Sequence, residues 1–312
     1  MTALERFIAT GWKGAACEPL AHDASARRYF RLRNGGRTAI VMDASNARAS
    51  IAPFARISGH LQRLGFSAPA ILQRDDAGGF LLLEDFGDDN FSRLLENPDK
   101  TERLLALAVD VLAALHKHSE AIPTGLRAYG PEEMLADLEL FLEQWPTPEN
   151  GKQAFRKAWL EALPQAHRVP VSLLLRDYHA ANLMWLRERE GIRQAGLLDF
   201  QDAWQGPVTY DLVSLLEDAR HDLSPALREK MKERYVGNFS HLNREIFETS
   251  LAILAALRHT RVLAIFEKLN RQGRTDYKKF HSPRVRRLLQ KALGHPALRG
   301  VQQWFCQYAP RS

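Results

Sequence analysis

Leu175-Arg176-Asp177-Tyr178-His179-Ala180-Ala181-Asn182, followed by Gly196-Leu197-Leu198-Asp199-Phe200, is the stretch whose reading decides the fold. Val171–Leu175 is a short apolar run of strand type, so Asp177 falls on a loop at a strand end. Asn182, five residues on, opens the run Leu183–Leu186. That run pairs with Ala195–Leu198 as a hairpin turning near Glu190 and Gly191, which brings Asp199 back beside the other two. Two carboxylates and a carboxamide on one spot suit a hard divalent cation with oxygen ligands, with one carboxylate left for proton work.

Outward from this island the chain divides. Tyr29–Arg33 and Thr38–Asp43 are β-type runs around Asn34, Gly35 and Gly36, a hairpin signal. A helical pattern over Phe54–Leu64 stops at Gly65, and Ala70–Gln73 and Phe80–Leu83 flank a turn at Asp75–Gly79. The order is strand, strand, helix, strand, strand. Polar residues 84–90 then break the pattern as a hinge would. Beyond Phe91 the spacing is mainly helical: Thr101–Lys117, a helix opened by Pro131, another over Gln153–Leu163 stopping at Pro164, and helix again after Gly206 and Pro207. The expected fold class is α+β, with a small N-terminal lobe (1–83) of antiparallel sheet and one helix, a hinge (84–90) and a larger helical lobe (91–312).

Composition narrows the class. At 312 residues, 45% hydrophobic and 26% charged, the chain is neither disordered nor a rod. The longest aliphatic run, Leu251–Leu257, is far short of the about 20 residues of a membrane span. Glu5 and Arg6 precede no apolar core of export-signal length, and two cysteines make no disulfide framework. A cytoplasmic protein without membrane attachment is expected. The net charge of +6 is uneven: residues 257–312 hold 13 Lys/Arg against 2 Asp/Glu. Apolar residues alternate with these cations, as on folded helices, and no recognition motif accompanies them, so no nucleic-acid partner is expected.

Asp-x4-Asn followed by Asp-Phe after a hairpin is the arrangement used for phosphoryl transfer in the protein-kinase class. The same residues resemble the aminoglycoside phosphotransferase and choline kinase superfamily. Asp23–Arg31, Ile40–Ala44, Asp199–Ala203, Gly206–Leu216 and Ser282–Val285 resemble more closely the bacterial N-acetylmuramate/N-acetylglucosamine anomeric kinases of cell-wall recycling. The resemblance implies a bilobal protein-kinase-like fold, ATP and Mg²⁺ as cofactors, and an ATP-dependent kinase acting on a small sugar as a monomer or weak homo-oligomer. An aminoglycoside or choline-type phosphotransferase is the alternative.

By the resemblance Asp177 is the catalytic base and Asn182 and Asp199 are the metal ligands. His179 organises the loop and Asp211 buttresses it. The usual strand Lys and helix Glu are both missing: Ala39–Asp43 carries no Lys and Phe54–Leu64 no Glu. Losing both together avoids stranding one charge. Arg27 and Arg28, beside Ser25 in the preceding turn, are candidates for gripping phosphate; strand alternation sends them to opposite faces, and both stand. Leu83, Glu84, Asp85 and Phe86 occupy the hinge position where backbone groups would meet the purine.

On the acceptor side, Arg258 and Arg261 lie on a cationic segment that suits the lactyl carboxylate of N-acetylmuramate better than a polycation. Asp202 and Gln205 either hydrogen-bond sugar hydroxyls or shape their loop.

Overall fold

Gly35 and Gly36 both take positive φ, 55° and 81°, the backbone that a two-residue hairpin of right-handed twist requires. The flanking strands accordingly pair in register, Asn34 opposite Arg37. The computed structural model describes residues 1–20 and 27–309, which fall into two compact units, Met1–Asn97 with Ala181–Ala203, and Pro98–Ala180 with Trp204–Ser312.

The first unit opens with α1 (Ala3–Trp12), capped by a reciprocal Thr2–Glu5 box, and β1 (Ala16–Pro19). Then come β2 (Arg28–Asn34), β3 (Arg37–Asp43), α2 (Ile51–Arg63), β4 (Ile71–Asp75), β5 (Phe80–Leu83) and the single turn α3 (Phe91–Leu94). The strands form one antiparallel sheet in the order β1-β2-β3-β5-β4. Leu32, Ala39, Val41, Phe80 and Leu82 bury one part of it against Phe7 and Trp12 of α1. Hydrophobic patterning did not assign α1 and β1. All four residues of β1 are exposed, so it carries no inside-outside alternation to read.

In the second unit α4 (Pro98–Lys117), α5 (Pro131–Gln144) and α6 (Glu149–Ala166) precede β6 (Val171–Leu174). Helix α6 runs two residues past Pro164, contrary to the expected stop. A proline in a last turn forfeits one intrahelical N–H bond without a long helix beyond it to distort. The chain then contributes β7 (Leu183–Trp185) and β8 (Ala195–Leu197) to the first unit, as the expected hairpin. Back in the second unit, β9 (Trp204–Pro207) pairs with β6, a strand the sequence pattern did not reveal. It is followed by α7 (Thr209–Leu216), α8 (Pro225–Val236), α9 (Arg244–Arg271), α10 (Asp276–Leu293) and α11 (Arg299–Tyr308).

Helix α9 is the axis of that unit. Its composition and length would suit a membrane span, yet 72% of its most apolar window is buried inside the unit. Ile253, Leu254, Ala256 and Leu257 are fully enclosed there, alongside an aromatic cluster in which Phe155 and Trp304 lie 4.7 Å apart. One sheet-built unit and one mainly helical unit make the α+β class expected.

Candidate active site

Two non-glycine residues among those described adopt left-handed backbone, and both belong to the motifs that decided the fold: Arg176 (φ 66°) and Asp199 (φ 57°). Such residues persist only where their surroundings over-determine them, and they concentrate at functional sites.

In the second unit the surroundings of Arg176 are explicit. The buried Asp211 carboxylate accepts from the backbone N–H of Leu175 (2.6 Å) and of Arg176 (2.9 Å), the buttress expected of it. Burial pushes Asp211 up to about 7, while those two bonds pull it down. The turn continues with Asp177 N–H donating to Leu175 O (2.8 Å) and His179 N–H to Asp177 O (3.0 Å). Tyr178 anchors the loop to α4 by donating to Ala108 O at 2.9 Å. His179 is buried. Its enclosure lowers the imidazole's basicity, against the pull of Asp218.

In the first unit Asn182 and Asp199 come together across the hairpin, because Leu198 N–H donates to Asn182 O at 3.0 Å. The hairpin is tied to its own unit by Leu197 N–H to Ser67 O (2.7 Å) and Trp185 N–H to Asp89 O (2.7 Å). The Asp199 carboxylate, 37% exposed, accepts from Arg27 at 2.7 Å and from Gln201 at 3.0 Å. Gln201 also donates to Asp202 at 2.9 Å, so it links the two acidic residues, a role that sequence reasoning missed. Among the described residues no group of three or more His, Cys, Asp or Glu is set to hold a metal. One carboxylate and one carboxamide oxygen do fit Mg²⁺, which keeps waters and shares phosphate oxygens rather than taking an all-protein cage. The guanidinium already drawn to Asp199 shows that this carboxylate attracts a cation.

The two candidate phosphate-gripping arginines have separate fates. Arg27 reaches Asp199, whereas Arg28 is bound to the buried Asp43 at 2.5 Å. Ser25 lies outside the described residues, as do 21–24 and 26. Leu83 is buried at the end of β5, and Glu84, which opens the 84–90 segment, donates its N–H to Ala70 O at 2.8 Å. Arg189 bonds the Glu84 carboxylate at 2.5 Å and lies over Phe86. Asp85 turns its carboxylate to the buried Arg31 at 3.0 Å, and Arg31 also bonds Asp88 (2.6 Å) and Gly87 O (2.9 Å). That strap was invisible in sequence, where Arg31 reads as one more alternating strand residue.

The second unit holds the remaining candidates. Arg258 is 7% exposed and donates to Ser214 at 2.7 Å. Arg261, one turn on along α9, faces Asp137 at 3.4 Å. Gln205 donates from its side chain to Leu126 O and pairs its backbone with residues 127–129 in an isolated bridge, which fixes the loop rather than freeing the amide.

The model of the phosphotransferase enzyme family matches residues 16–245. An N-acetylmuramate/N-acetylglucosamine kinase of Caulobacter vibrioides is 32% identical, over 97% of this chain and 94% of its own. One of the same name from Pseudomonas aeruginosa is 31% identical over 88% and 83%. Among solved structures, a choline/ethanolamine kinase family protein of Mesorhizobium loti superposes with a TM-score of 0.66 at 16% identity, covering 97% of each chain. At that identity the superposition speaks for the fold alone, which is the protein-kinase-like fold expected.

Proposed function

The chain belongs to the phosphotransferase enzyme family and is a kinase, and from that premise we propose that it is an ATP-dependent sugar 1-kinase. The acceptor is the anomeric hydroxyl of N-acetylmuramate or N-acetylglucosamine, met in the cytoplasm during cell-wall recycling. The observation that carries this reading is similarity over 97% of the chain to a kinase named for those two sugars.

In this reading Asp177 takes the proton of the anomeric hydroxyl. That hydroxyl is more acidic than an ordinary alcohol, so a carboxylate is base enough. Asn182 and Asp199 would hold Mg²⁺, which neutralises charge on the transferred phosphoryl group when bound. Arg27 leaves Asp199 for the phosphates of the nucleotide, where a guanidinium can bind two oxygens at once. The purine edge meets backbone groups of Leu83–Phe86, held in place by the Arg31 strap. Asp202 hydrogen-bonds the sugar, positioned by Gln201. What the chain supplies is therefore position and fixed charge, which is most of what phosphoryl transfer asks of a protein.

The test is ³¹P NMR of the product formed from ATP, Mg²⁺ and each sugar. The reading predicts a phosphomonoester coupled to the anomeric proton. A phosphate on any other oxygen, or ATP consumption only with choline or aminoglycosides, contradicts it.

A further inference from the structure

We propose that Arg261 is the specificity-determining residue that separates acceptors bearing a carboxylate from neutral ones. The inference rests on the functional reading above and names a residue for its substrate preference.

Two guanidinium groups share one carboxylate. In the second unit a single carboxylate oxygen, Asp137 Oδ2, faces three donors: Tyr129 Oη at 2.8 Å, Arg176 Nη2 at 2.5 Å and Arg261 Nε at 3.4 Å. The first two are hydrogen bonds; the third is an ion pair only. Arg176 is also stacked over Tyr129 (4.9 Å) and Trp204 (5.2 Å), and its side chain is 11% exposed, so its conformation is fixed. Arg261 is not so committed. Its side chain is 23% exposed and no described residue accepts a hydrogen bond from it.

The contrast with Arg258 on the same helix is instructive. Arg258 spends its guanidinium on Ser214 and is nearly sealed. Arg261 presents an unoccupied fork in a half-dry setting, where a charged hydrogen bond is worth more than in water. The Asp177 carboxylate lies within its electrostatic range. Burial opposes the charged guanidinium, and the carboxylates of Asp137 and Asp177 favour it. Arg176, which directly precedes Asp177, and Arg261 share the Asp137 carboxylate, so an acceptor with its hydroxyl at Asp177 has Arg261 within the same small region of one unit.

A carboxylate there would replace the 3.4 Å contact to Asp137 with two parallel N–H···O bonds, whereas a neutral substituent gains nothing comparable. N-acetylmuramate and N-acetylglucosamine differ by such a group, the lactyl ether on O3.

The experiment compares kcat and KM for both sugars in wild type, Arg261→Met and Arg261→Lys. In Arg261→Met, kcat/KM for N-acetylmuramate should fall about 10- to 100-fold, mainly through KM. The value for N-acetylglucosamine should fall no more than about three-fold, and Arg261→Lys should lie between. In wild type, salt should raise KM for the carboxylate-bearing sugar selectively, a measurement that needs no variant to fold. Parallel losses for both sugars, or a salt-insensitive KM for N-acetylmuramate, would overturn the assignment of Arg261. Wild type that phosphorylates neither sugar would overturn the functional reading itself.

Discussion

Arg27 Nη2 lies 2.7 Å from Asp199 Oδ1, so the carboxylate assigned to a divalent cation is matched, before any ligand arrives, by a cation from its own unit. Arg28, its sequence neighbour, is bound instead to Asp43 on the adjacent strand. The pair thus divides into one arginine at the motif and one in the sheet.

Arg27→Met should raise the Kd for Mg·ATP about 10-fold or more, the worth of one charge-assisted bond to phosphate. Arg28→Met should leave that Kd nearly unchanged and lower stability, because Asp43 is buried and loses a partner. Calorimetric titration with a non-hydrolysable ATP analogue, alongside urea unfolding, separates the two effects. Equal effects of both variants on nucleotide affinity would contradict the division.

Arg31 holds three points of the 84–90 segment at once. Arg31→Met leaves Asp85, whose side chain is 4% exposed, without its counter-charge, at a cost of about 3–5 kcal/mol. The nucleotide KM should rise with it, since the backbone that would read the purine is no longer fixed. Stability loss with an unchanged KM would dissociate the strap from nucleotide binding.

Asp211 is protonated in the native state up to about 7 through burial, whereas an unfolded aspartate ionises near pH 4. Its folded-state pKa is raised, so its contribution is fully present below pH 4 and is lost as the pH rises through 7. The change from 3.8 to about 7 corresponds to roughly 4 kcal/mol. Asp211→Asn should abolish that dependence and point an amide donor at one of two backbone donors, which lowers turnover through the displaced Asp177 loop. The check is unfolding free energy against pH for both proteins; parallel curves between pH 4 and 7 would contradict it.

His116 has the opposite sign. Burial lowers it to about 3, and it shares a 2.7 Å hydrogen bond with Tyr235. A histidine whose folded pKa is depressed stabilises above its unfolded value near 6.5, and that stability is lost as the pH falls toward 3. Wild type should therefore lose Tm between pH 7 and 5 more steeply than His116→Phe.

Much of this arrangement was legible in the sequence. The Asn34, Gly35, Gly36 turn could be read because positive φ at two successive positions calls for residues of that kind. Asp177, Asn182 and Asp199 stand out because their spacing matches a motif of phosphoryl transfer rather than a packing period. The β1 strand was hidden by its own exposure. Arg258 and Arg261 are indistinguishable as letters three apart on one helix; the Ser214 hydroxyl facing one and Asp137 facing the other separate them. Arg31 and Gln201 act through partners distant along the chain or on both sides of a motif, and a local pattern records neither.

We propose that Asp177 is the proton acceptor of a phosphoryl transfer whose nucleotide and metal are held by other residues. Single-turnover measurement of ADP formation with Asp177→Ala, at Mg·ATP and sugar concentrations shown by titration to saturate it, tests that claim most directly. Nucleotide affinity should stay within about three-fold of wild type, since the lost group does not bind phosphate, and transfer should slow by at least about 10²-fold. Transfer at the wild-type rate in that variant would contradict it.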